Sequence, residues 1–65
     1  MDDLQKLKHL IGHWKEHNEE HAQTYREWSK KADAAGKGEL ATVLRELAEG
    51  TLNMGKLFEK AGDLL

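Results

Sequence analysis

Cysteine and proline are both absent from this chain. Without cysteine there are no disulfides and no thiolate metal sites. That matters at 65 residues, because a single domain this small is marginal unless a disulfide, a metal or a partner subunit reinforces it. Metal and oligomerisation remain. An excess of basic charge is also missing. The formal net charge is −2 and acids and bases are interleaved, so no basic face is offered to nucleic acid. No apolar run approaches the roughly 20 residues of a membrane span. The N-terminus, Met1-Asp2-Asp3, lacks the apolar segment of a signal peptide. The expectation is a single domain over 1–65, soluble and cytoplasmic, with no nucleic-acid or membrane partner.

What is present favours helix. Ala, Leu, Glu and Lys dominate, and β-branched residues are few. The one clear break is Ala35-Gly36-Lys37-Gly38, whose glycines suit a left-handed C-cap and a short turn. Before it, the candidate inward positions alternate by three and four: Leu4, Leu7, Ile11, Trp14, Asn18, His21, Tyr25, Trp28 and Ala32. That spacing is a heptad seam. After it the pattern returns at Leu40, Leu44, Leu47, Thr51, Met54, Phe58, Ala61 and Leu65. The predicted fold is all-α, an antiparallel hairpin of two long helices over Asp2–Ala35 and Glu39–Leu64. Gly12 could break the first helix, but the seam keeps its phase through it and one glycine costs only about 1 kcal/mol.

The second helix carries two further rows, Ala41/Ala48/Gly55/Gly62 and Val43/Gly50/Leu57/Leu64. One neighbouring helix cannot cover so broad an apolar arc. The small-residue row would let another backbone approach closely, so the expectation is a homodimer forming a four-helix bundle through that row.

The main clue to function is a ladder of four histidines, His9, His13, His17 and His21, each four residues from the next. Residues at that offset lie one helical turn apart and only about 40° round, so two neighbouring imidazoles can close on one divalent ion. The ladder drifts around the helix and cannot form one site of four. Against the predicted seam, His9 lies at the back, His13 on an outer flank, His17 at the seam's edge and His21 within it. His9 reads as an exposed polar residue. His17, Asn18 and His21 read as a polar layer between Trp14 and the Tyr25/Trp28 pair, and burying such groups is costly unless they find partners. Two readings compete. In one, His17 and His21 are core ligands of a divalent transition metal such as zinc or nickel, with His13, Glu20 or the dimer mate completing the shell. In the other, the layer is a hydrogen-bonded device that fixes register in a structural or protein-interaction module. Thr51, Asn53 and Met54 are the expected neighbours from the second helix, Met54 as filler more than as a ligand.

Enzyme motifs fail. His17-Asn18-Glu19-Glu20-His21 imitates the zincin pattern H-E-x-x-H, but the general-base position holds Asn18, which cannot take up a proton in that role. Di-iron bundles place the acid first, as Glu-x-x-His; here the order is reversed in His17-x-x-Glu20 and has no second copy. No nucleophile–base pair or phosphate-binding glycine loop appears. A non-enzyme is expected.

The run His13-Trp14-Lys15-Glu16-His17-Asn18-Glu19-Glu20-His21-Ala22, followed by Tyr25-Arg26-Glu27-Trp28, resembles a group of small, uncharacterised prokaryotic helical domains with the pattern His-Trp-x-x-His-Asn-x-Glu-His-Ala. Some of these are fused to small nickel-binding β-domains of the kind linked to carbon monoxide dehydrogenase maturation. The resemblance implies a metal-linked role and marks His13, His17, Asn18, Glu20 and His21 as the characteristic positions.

Overall fold

The computed structural model describes residues 2–65 as two helices, α1 (Asp3–Ala34) and α2 (Gly38–Asp63), folded into an antiparallel hairpin. Both ends fall within one residue of the expected boundaries, and α1 runs unbroken through Gly12. The side chain of Asp2 caps α1 by accepting the Gln5 N–H at 2.8 Å, satisfying one of the unpaired donors of the first turn. At the other end Lys37 N–H bonds the Ala32 carbonyl at 2.9 Å and Gly36 N–H bonds the Asp33 carbonyl at 3.0 Å. That pair of bonds is a Schellman motif. It requires a left-handed residue, and Gly36 supplies it with φ 81°. A Cβ at Gly36 would meet no atom within 4 Å, so its penalty is conformational alone. Gly36→Ala is expected to destabilise the protein by about 1–2 kcal/mol, read as a lowered midpoint in urea with an unchanged slope.

The helices meet along an inner seam of small residues. Ile11, Ala22 and Ser29 of α1 and Ala41 and Ala48 of α2 are buried; Asn18, Tyr25, Ala32, Leu44, Thr51, Gly55 and Phe58 are half-buried between them. Ser29 is tolerated there because its hydroxyl donates to the Arg26 carbonyl of its own helix at 2.6 Å. Asn18 donates from Nδ2 to the Thr51 carbonyl at 2.6 Å across the interface. A Cβ on Gly55 would stand 4.0 Å from that same nitrogen, an ordinary van der Waals contact. Towards the open end Lys15 Nζ bonds Glu59 Oε1 at 3.0 Å. The hydrogen bond to Glu59, and then its charge, hold the lysine above its ordinary value. The pair's contribution is therefore present below the usual lysine range and lost at higher pH.

Two expectations are corrected by this seam. Ile11, Asn18, Tyr25 and Ala32 face inward as predicted, but their companions are Lys15, Ala22 and Ser29, not Trp14, His21 and Trp28, which are all exposed. On α2 the Ala41/Ala48/Gly55 row, expected at a dimer interface, packs inside the hairpin, while Leu40, Leu47 and Met54 are exposed. The physical reason is distance. Small side chains let two antiparallel backbones come close, whereas the larger rows would hold them apart and lose contact along the whole length.

Candidate metal centre

The helical twist carries the histidine ladder across the exposed surface of α1. His9, His13, His17 and His21 are all exposed. The rings of His13 and His17 stand 4.8 Å apart between centroids, and those of His17 and His21 stand 6.1 Å apart. Two imidazoles bound tetrahedrally to one ion, with metal–nitrogen bonds of about 2.0–2.1 Å, have centroids about 5 Å apart. The first pair stands near that spacing, and the second stands about 1 Å beyond it. His21 also stacks on Tyr25 at 6.1 Å with an interplanar angle of 20°, which fixes one face of its ring. Tyr25 is half-buried in the inner seam, so the stack ties the top of the ladder to the fold.

Glu20 is exposed and its backbone carbonyl accepts from Thr24 Oγ1 at 3.0 Å. It shares its helical row with His13, one heptad on, and so flanks the ladder on the side away from Tyr25. Among the described residues, no group of three or more His, Cys, Asp or Glu side chains converges within one chain. The ladder therefore presents pairs of neighbouring imidazoles. His21 stands outside the inner seam, and Asn18 is separated from the histidines: it faces α2, where Thr51 is its partner. Asn53, expected beside His21, is exposed on α2. The polar layer predicted from His17, Asn18 and His21 is thus two features, an amide lock inside and an imidazole ridge outside.

The residues around that ridge carry a regular pattern of their own. Leu7, Leu10, Trp14, His17, His21, Thr24 and Trp28 keep an unbroken three–four spacing of their own. Leu40, Val43, Leu47, Gly50, Met54, Leu57 and Ala61 do the same on α2. These form a second, outer seam on each helix. The spacing is visible in the sequence, but periodicity alone does not assign each row to the core or to a flank. Antiparallel helices wind in opposite senses when viewed from one end, so the rows that precede the inner seam on each helix emerge on the same broad face. That face carries Trp14 at 44%, Trp28 at 54%, Leu47 at 47% and Met54 at 50% exposure. The opposite face bears charge, including Glu19, Arg26 and Lys30 of α1 and Arg45 and Glu49 of α2.

A family described as a domain of unknown function (DUF8180) matches residues 7–65. The chain belongs to the DUF8180 family. The DUF8180 match takes in the whole ladder, both seams and the turn, and agrees with the resemblance to a small uncharacterised domain. An uncharacterized protein of Archaeoglobus fulgidus is 34% identical over 62 residues, covering 95% of this chain and 98% of that relative. No solved structure matches this DUF8180 chain. Among its described residues no helix is long and apolar enough to cross a membrane.

Proposed function

We propose that this is a small cytoplasmic metal-binding protein, in which His17 and His21 chelate a divalent transition ion and His13 and Glu20 are the nearest further ligands on the same chain. The observation that carries the reading is the ridge of exposed imidazoles spaced 4.8 and 6.1 Å apart. Exposed rings four residues apart need only small rotations to share an ion, and neutral imidazole suits zinc, nickel and copper(II). The resemblance to domains fused to nickel-binding proteins adds a reason to include nickel. The reading is of a binding protein and not an enzyme, since the sequence holds no nucleophile–base pair to perform chemistry.

Calorimetric titration of the untagged protein with zinc, nickel and copper at neutral pH tests this. Binding is expected, and a ligand at 100 times its dissociation constant raises stability by about 2.7 kcal/mol. The shift should shrink at pH 5, where protons compete for the ring nitrogens. His17→Ala/His21→Ala should abolish it and His9→Ala should keep it. Binding weaker than 100 μM for all three ions would sink the metal reading. A second reading, an interaction module, is favoured by the open outer seam, whose apolar side chains serve no purpose in an isolated hairpin.

A further inference from the structure

An isolated hairpin leaves too much surface in water. A compact monomer of this mass, 7.4 kDa, exposes about 4,200 Å² by the usual scaling with size. This chain exposes 5306 Å². The excess, on the order of 1,000 Å², is close to the roughly 800 Å² that each partner contributes to a standard stable interface. The broad faces of the hairpin measure 51 by 16 Å between Cα atoms, which is also on the order of 800 Å². One of those two faces is the apolar outer seam. Among the described residues the buried apolar side chains are Ile11, Ala22, Ala41 and Ala48, a core small enough to gain from a partner, and another copy of the chain is always at hand.

The order of residues along the outer seam indicates how that copy lies. On α1, Trp14 and Trp28 stand seven residues to either side of His21. On α2, Val43 and Leu57 stand seven residues to either side of Gly50, with Leu47 and Met54 between them. The bond from Asn18 to the Thr51 carbonyl places His21 within one helical turn of Gly50, so both rows are symmetric about nearly the same height. A twofold axis lying in the face at that height sets large residues against large ones and the imidazoles of one chain against those of the other. The alternative twofold, along the helices, lays α1 on the partner's α2. It buries His17 and His21 against Leu47 and Met54, where the ring N–H groups find no acceptor.

We propose that a second copy of this chain covers the outer seam with its turn at the opposite end, so that the two His17/His21 pairs meet in one four-imidazole layer, flanked by Trp14 and the partner's Trp28. The assembly is an isologous dimer, a four-helix bundle of two hairpins. It rests on the metal reading only for what fills the layer. In that assembly the partner supplies a second pair of imidazoles.

The chain has no cysteine, so a single label site is clean. Lys37 sits in the turn and its side chain makes no capping hydrogen bond. A nitroxide on Lys37→Cys, with dipolar distances measured by pulsed electron paramagnetic resonance, reads the arrangement directly. Turns at opposite ends give a separation near the 51 Å length of the hairpin. Turns at the same end give about 20 Å or less, two interaxial spacings. The expected result is a dimer by sedimentation at micromolar concentration, the long distance, and zinc saturating at one ion per two chains. A folded monomer or the short distance overturns the arrangement, whatever the protein does with zinc. A long-distance dimer that takes one zinc per chain overturns the shared layer. A long-distance dimer indifferent to zinc leaves the arrangement standing and removes the metal reading alone.

Discussion

Ala48→Leu is expected to lower stability by about 3 kcal/mol, the upper part of the usual range for forcing extra methylenes into a closed contact. Ala48 is 1% exposed and Ala41 is 0% exposed, and both lie in the inner seam between the helices. A leucine there is too large for the contact between the helices and is expected to push them apart, which strains the bond from Asn18 to the Thr51 carbonyl. For a domain of this size about 1 kcal/mol shifts the melting temperature by roughly 4–8 °C, so the expected fall is roughly 12–24 °C. Glu49→Ala, one position away on the exposed surface, should stay within about 0.5 kcal/mol. Thermal unfolding followed by circular dichroism measures both. If Ala48→Leu kept its melting temperature and only dissociated, the small-residue row would face another chain and the inner seam described above would be wrong.

Trp14→Ala is the second large effect, and it probes the other face. In a lone hairpin Trp14 is 44% exposed, so its loss would cost on the order of 1–2 kcal/mol, independent of protein concentration. At the centre of an interface a truncated tryptophan costs on the order of 2–4 kcal/mol, and the loss appears as a melting temperature that depends on protein concentration. Trp28→Ala should behave alike, with an added small loss because Lys31 Nζ lies 4.3 Å above its ring. Small, concentration-independent effects at both tryptophans would count against any partner on the outer seam.

The helices, their ends and the turn were legible in the sequence because local chemistry decides them. Helix-forming composition, the Asp2 cap, and a glycine where the chain must turn left-handed all act within a few residues, and both predicted helices agree with the structure to within one residue at each end. The three–four spacing likewise determined that each helix carries apolar seams. It could not determine which seam closes the hairpin. Trp14, His21 and Trp28 belong to one row and Lys15, Ala22 and Ser29 to the next, only a fraction of a helical turn apart. A hydrophobicity count prefers the first. The tertiary structure takes the second, because contact between two backbones depends on how closely they can approach, and Ala41, Ala48 and Gly55 on one helix fit Ala22 and Ser29 on the other. That choice separates Asn18 from the histidines and turns the imidazole ridge and both tryptophans outward. The four-residue spacing of the ladder is written in the chain itself; its place on an open apolar face follows only from the packing of small residues behind it.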